Sequence, residues 1–393
     1  MFQQQAVTAV SLLILVLSCV GCGVNPVTGK KEMQLVSEQK EIQIGQEYYS
    51  YLIQAEGGEY VANPKINQYI NQVGQKLAAV SDRPHLPYEF TVLDNTIPNA
   101  WALPGGKISI NLGLLTQLAS EAELAAVLAH EIVHSAARHG AQAMQRAALL
   151  QTGMMGLSSA IDGSSYQGAI MQGANVGAGL ITTKYSRSAE LEADKYGIKY
   201  MEKAGYDPAA AITLQQMFVR LDQQRDKQWL DGLFATHPPS EERVEANEMT
   251  VEQYPQGGYM GDKEYKKEIR RLKKTAGAYD AMERGYKFLY RKDPEAALKQ
   301  AQIAIDIEPQ EGHFYNLQGK ALVMQNKYQQ ALTAFDKAIE KNPNYFEYYL
   351  QRGLLKQRLR MNGRADLQKS FDLLPTEEAY RALGHSSQGR NLR

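Results

Sequence analysis

The sequence predicts two folded units in series: an α+β domain over residues 37–262 and an all-α solenoid of helical repeats over 275–383. Three observations lead there. Residues 37–262 alternate helical periodicity with short strand patterns. Beyond them small residues recur every 34 positions, at Gly285, Gly319 and Gly353 and again at Ala297, Ala331 and Ala365, and Pro309 and Pro343 keep that spacing. A chain of 393 residues also exceeds one ordinary domain and suits two.

Composition narrows the function classes. Lys+Arg and Asp+Glu both number 43, so no net charge draws the chain toward nucleic acid. The hydrophobic fraction of 44% and charged fraction of 22% exclude disorder as the main state. Only one segment, Ala6 to Val20, is apolar enough to meet a bilayer, which excludes a multi-span protein. It is short for a spanning helix and suits the core of a signal peptide. Cys19 and Cys22 sit at its end, after Ser18 and Gly21 respectively. The expectation is a lipoprotein signal over 1–21, lipid on Cys22 with Cys19 as the alternative, and a linker over 22–36. Gly23 is not the Asp that would favour inner-membrane retention, so a lipid anchor in the outer membrane, facing the periplasm, is expected.

A first helix is expected from about Ser37. In the second, Asn63 caps, Pro64 takes the first position, and Ile66, Tyr69, Ile70, Val73 and Leu77 share one face. Tyr88 to Leu93 reads as a strand and Asn95 to Gly106 as a Pro/Gly-rich loop. Lys107 to Asn111 alternates with period two, as a half-buried strand does. Ser120 with Glu123 forms a capping box that opens a long helix to about Arg146. Residues 153–180 are rich in glycine and read as a flexible flap. Another helix runs from about Arg187 to Ala204 and stops at Gly205; Asp207 and Pro208 start the next. The 34-residue period is that of tetratricopeptide repeats, whose small residues let paired helices approach closely. The tail, 384–393, reads as disordered.

The strongest chemical signal is His130-Glu131-Ile132-Val133-His134. Residues four apart share a helical face, so both imidazoles reach one metal ion while Glu131 beside them serves as general base for a water. This is the zinc-peptidase pattern, and it makes the α+β domain zincin-like. Catalytic zinc takes three protein ligands. Glu190 and Asp194 are also four apart. One reading makes Glu190 the third ligand and Asp194 the acceptor for a ligand histidine; the other makes both an acidic face in water. Spacing leaves the two open. His139 falls on another face and reads as a surface residue, and His85, His313 and His385 lack partners.

HEIVH with ExxxD on a later helix resembles the HtpX and CAAX-prenyl-protease family of zinc metallopeptidases. So do Asn99-Ala-Trp-Ala-Leu-Pro-Gly-Gly106, Gly113-Leu-Leu, and Thr236-His237-Pro-Pro-Ser-Glu-Glu-Arg243. With the signal segment and repeats, the chain is similar to that family's periplasmic, repeat-bearing branch. The resemblance implies Glu190 as third ligand of one Zn2+ and Arg243 as an orienting or charge-stabilising residue. It implies His237 either as an inhibitory fourth ligand or as a group near the substrate oxyanion. The expected reaction is hydrolysis of peptide bonds, with an extended substrate added to an open edge at Lys107, Ile108, Ser109 and Ile110. Expected substrates are unfolded or misassembled envelope proteins, in quality control of outer-membrane assembly, with the β-barrel assembly machinery docked on the repeats. The alternative is a chaperone or assembly factor with a mostly latent protease.

Overall fold

A computed structural model describes residues 22–146, 184–224 and 227–384. The signal segment 1–21, the glycine-rich stretch 153–180 read as a flap, and the tail from 385 lie outside the described residues.

The stretch read as a linker is folded. Strands β1 (Cys22–Val24) and β2 (Lys31–Met33) pair antiparallel. Asn25 closes the turn between them: its Oδ1 accepts from the amides of Val27 and Thr28, and its Nδ2 donates 2.8 Å to the carbonyl of Ala137. A polar turn signal looks the same whether the turn floats or docks, so the sequence hid this. Helix α1 (Glu38–Ala55) follows, with the Ser37 side chain accepting from Lys40 N. Helix α2 (Pro64–Ala78) buries Ile66, Ile70, Val73 and Leu77; Asn63 precedes it but makes no side-chain cap bond.

The sheet has three strands, β3 (Glu89–Leu93), β4 (Ala100–Leu103) and β5 (Lys107–Asn111), in the order β3-β5-β4. Two expectations fail here. The loop 95–106 contains β4. And β5, expected at an open edge through Lys107, Ile108, Ser109 and Ile110, is the central strand, parallel to β3 and antiparallel to β4. Both of its backbone edges are paired. Ser109 is buried too, bonded to the Tyr49 hydroxyl, so the alternation that suggested a half-buried strand does not describe its exposure.

After the single turn α3 (Leu112–Leu115) comes α4 (Glu121–Ala136), of whose 16 residues 14 are buried. Half of the capping box forms: Ser120 Oγ accepts from Glu123 N, while Glu123 Oε2 accepts from Ala119 N, one residue before the cap. The helix ends ten residues earlier than expected. Arg138 takes a left-handed φ of 66°, and its guanidinium turns to the buried Glu41 and the Val36 carbonyl. Residues 139–146 are helical again. Then come α5 (Arg187–Lys203), α6 (Ala210–Gln223), α7 (Lys227–Asp231), α8 (Leu233–Thr236), α9 (Glu241–Val251) and α10 (Asp262–Glu268).

The repeats are three antiparallel helix pairs: α11 (Arg270–Tyr290) with α12 (Pro294–Ile307), α13 (Gly312–Met324) with α14 (Tyr328–Lys341), and α15 (Phe346–Arg358) with α16 (Arg364–Leu373). The short α17 (Glu377–Ala382) closes the end. Gly319 has a reason: a Cβ there would lie 2.4 Å from the Phe335 ring. Such overpacking costs about 1–3 kcal/mol. One register breaks. Ala297 and Ala331 are fully buried, but Ala365 is exposed and Leu367 takes the buried place. The turn before α16 is two residues longer than its counterparts, which shifts that helix's inward face.

The two units share one core, which includes Val92 and Leu112 from the first and Leu272, Ala278 and Phe314 from the second. His313, which reads from sequence as a residue without a partner, is buried in the joint, its Nε2 2.8 Å from the Gly57 carbonyl.

Candidate active site

The HEIVH segment lies near the end of α4, where almost every side chain is enclosed and a polar group needs a partner. Helix α5 packs against it closely because Gly197 has no side chain: a Cβ there would lie 3.3 Å from the backbone nitrogen of His130. That approach brings Glu190 and Asp194 to the histidines. His237, at the end of α8, comes from a third direction.

Four donor groups converge. His130 Nε2 lies 3.0 Å from His134 Nε2 and 3.3 Å from His237 Nδ1. Glu190 oxygens lie 3.5 Å from each of His130 and His134 Nε2, and 3.1 Å from His237 Nδ1. A tetrahedron with metal bonds of about 2.0–2.1 Å has edges of about 3.3 Å. His130, His134, Glu190 and His237 therefore fit the corners of one metal site. Three imidazoles and a carboxylate are a donor set that zinc accepts.

Residues 64–250 match the model of Peptidase family M48, and residues 319–359 match a TPR repeat. The chain is similar to the beta-barrel assembly-enhancing protease of Escherichia coli K12, 31% identical over 56% of this chain and 45% of the relative. Against the protease of that name from Yersinia pestis it is 32% identical over 47% of this chain and 38% of the relative. Against the mitochondrial metalloendopeptidase OMA1 of Schizosaccharomyces pombe it is 30% identical over 56% and 63%. The chain thus spans less than half the length of these two bacterial relatives. Residues 64–250 form a Peptidase family M48 domain, a metalloprotease domain, followed by tetratricopeptide repeats.

Asp194 of the M48 domain accepts from His130 Nδ1 at 2.9 Å, which leaves Nε2 turned to the cluster. Arg243 grips the same carboxylate with two bonds, Nε to Oδ2 at 2.6 Å and Nη2 to Oδ1 at 2.7 Å. Its Nη1 lies 3.0 Å from Glu190 Oε2 and donates to the Pro238 carbonyl. Arg243, named from sequence among the catalytic residues, therefore acts through Asp194, Glu190 and the loop carrying His237, as a positioning residue. Burial disfavours the Asp194 carboxylate, but the charge and hydrogen bonds of Arg243 outweigh it and hold the carboxyl below its usual range.

Glu131 sits between the donors and a mainly apolar cavity lined by Val127, Ile198, Leu214, Phe218 and Leu233. Its Oε1 lies 3.7 Å from His237 Nε2, while its Oε2 is buried without a hydrogen-bond partner. Burial pushes its carboxyl up, against the nearby positive charge of His237 and His130. A raised, unpaired carboxylate suits a general base.

Two residues escaped the sequence reading. His139, expected on the surface, is buried, with Nδ1 2.9 Å from Nδ1 of His134. The left-handed Arg138 swings it back toward the site, which periodicity does not foresee. Glu192 Oε2 lies 3.5 Å from His139 Nε2, and Glu192 Oε1 accepts 2.6 Å from Lys30 of the N-terminal hairpin. The neighbouring His139 imidazole, then Lys30, hold the Glu192 carboxyl down at about 2. Tyr185 stacks on His134 with ring centroids 3.9 Å apart; no pattern in the sequence marks it.

Proposed function

We propose that the chain is a zinc endopeptidase. It is exported to the periplasm, anchored at the outer membrane by lipid on Cys22, and acts on unfolded or misassembled envelope proteins. The observation that carries the enzymatic part is the convergence of His130, His134, Glu190 and His237 beside the unpaired Oε2 of Glu131. Zinc, when bound, supplies the positive charge that polarises a carbonyl and acidifies a water. Glu131 Oε2 takes the proton from the attacking water and returns it to the leaving amine. Asp194, itself held by Arg243, fixes the tautomer of His130, and His139 does the same for His134. The apolar cavity accepts a substrate side chain.

Substrate adds to β4, the sheet edge beside α4. Asn111 N bonds Asn99 O, and antiparallel alternation then turns the peptide groups of Ala102 outward. Main-chain pairing there gives weak sequence selectivity.

With a metal bound, His237 would complete the donor set beside His130, His134 and Glu190, which favours a latent resting form. Casein cleavage tests this, comparing wild type with His237→Ala, with Glu131→Gln as blank and zinc content measured. Cleavage that rises in His237→Ala supports latency; cleavage that disappears makes His237 catalytic. If neither protein cleaves despite bound zinc, the assembly-factor reading takes over.

Docking of the repeats to the β-barrel assembly machinery is supported by the names of the bacterial relatives. The apolar run 6–20 ending at Cys19 and Cys22 supports export and lipidation. A chain of unaltered mass, free in the soluble fraction, would overturn the anchor.

A further inference from the structure

A second cluster of donor groups lies far from the HEIVH helix, at the joint between the M48 domain and the repeats. Asp94 follows β3. Glu311 and His313 bracket the start of α13. All three are buried, and their ligand atoms lie within 4.8 Å of one another. His313 Nε2 is 3.6 Å from Asp94 Oδ2 and 2.8 Å from the carbonyl of Gly57. Gly57 and Gly58 both take positive φ, 107° and 85°, in the turn that presents this carbonyl.

The cluster carries two buried carboxylates. The nearby Arg271 is committed elsewhere: both of its terminal bonds go to Glu308, at 3.0 Å. Glu311 receives the His313 amide at 3.0 Å and the Tyr279 hydroxyl at 3.4 Å, both neutral donors.

Three polar atoms around the cluster are buried and unpartnered: Asp94 Oδ1, the Tyr60 hydroxyl and the Tyr348 hydroxyl. Tyr60 and Tyr348 are fully buried. Both phenols feel the charge of Asp94 and Glu311. The Tyr348 hydroxyl reaches the backbone between Glu311 and His313, 2.8 Å from where a Cβ on Gly312 would stand. A buried hydroxyl without a partner is destabilising, so several around one point call for a missing group.

We propose that Asp94, Glu311 and His313 bind a divalent first-row cation that fastens the repeats to the M48 domain, independently of the peptidase site. Two carboxylates and an imidazole are ligands that Zn2+ or Mn2+ accepts. His313 Nε2 and Asp94 Oδ2 stand 3.6 Å apart, close to the ligand-to-ligand distance of such an ion, and the three donor groups together span no more than 4.8 Å. Two ligands come from one unit of the fold and one from the other, so the ion would bridge them. A proton shared by Asp94 and Glu311 is the competing way to balance the charge.

The test counts metal in the full chain, stripped with chelator and dialysed against Zn2+ alone, in wild type, Asp94→Asn and His134→Ala. Two ions per wild-type chain, one in Asp94→Asn and one in His134→Ala, are expected. One ion in folded wild type that His134→Ala loses overturns the joint site, and so does an unchanged count of two in Asp94→Asn. A count that His134→Ala leaves unchanged would instead strike the peptidase-site assignment, so the two failures are distinguishable. As a second readout, chelator should lower the melting temperature of His134→Ala but not of His134→Ala with Asp94→Asn. An equal drop in both, or none in either, overturns the fastening role.

Discussion

Helices α4 and α5 in the M48 domain and helices α13 and α14 in the repeats are both antiparallel pairs that meet over a glycine. At Gly319 the space admits the Phe335 ring, and the surrounding contacts are apolar. At Gly197 it admits the backbone of His130 itself, and Ala193 beside it is fully buried. The same packing device thus serves two ends. In the repeats it only joins helices. In the M48 domain it sets the distance at which Glu190 and Asp194 of one helix meet His130 and His134 of the other. Close packing makes the site possible, and the polar residues one turn away make it chemical.

The largest expected effect separates chemistry from packing. Glu131→Gln should keep full zinc content while kcat falls by about 10²–10⁴-fold, the usual worth of a general base; single-turnover cleavage with metal analysis decides it. The next pair of changes tries to break the comparison. Gly197→Val and Gly319→Val should each destabilise the fold by about 1–3 kcal/mol in urea. Only Gly197→Val should also weaken zinc binding, and parallel zinc loss in Gly319→Val would show that the two pairs are not independent. Third, His139→Ala should lower zinc affinity by about 10–100-fold in competition with a chelator, because the far nitrogen of His134 loses its partner. An unchanged affinity would reduce His139 to a packing residue.

The smallest effect belongs to the repeats, whose ion pairs lie on the rim. Asp366 accepts from Arg352 and Lys356 at 2.6–2.9 Å. Burial raises its carboxyl, but these partners win and bring it below the ordinary 3.8. A folded pKa below the unfolded one gives stability that is present above 3.8 and lost as pH falls through the lower value. Asp366→Asn should therefore cost about 1–2 kcal/mol at neutral pH. Wild type and variant should converge on acidification below 3.8, as followed by thermal melting.

What the sequence revealed follows from the range of the forces involved. The HEIVH helix was legible because its cap, its periodicity and its ligand spacing all lie within 15 residues. The repeats were legible because the same local solution recurs three times, until a two-residue insertion moved Leu367 into the place expected for Ala365. The rank of β5 in the sheet was not legible, since alternation reports on faces and not on edges. Nor was the end of α4, which is set by Arg138 reaching for Glu41 almost a hundred residues earlier. His139 was misplaced for the same reason, and His313 because its partners come from the other unit of the fold.

The N-terminal hairpin has a mechanical consequence. Among the described residues regular structure starts at Cys22, and the turn behind it is bonded to Ala137, the residue that follows the HEIVH helix. A lipid on Cys22 would leave no slack between bilayer and enzyme. Val24, Met33 and Leu35, all exposed, would lie against the headgroups. The protease would then not swing on a leash and sample a volume. It would stand on the membrane with a fixed heading, and its cleft would sweep one height above the lipid. Reach would fall to whichever partner the repeats hold.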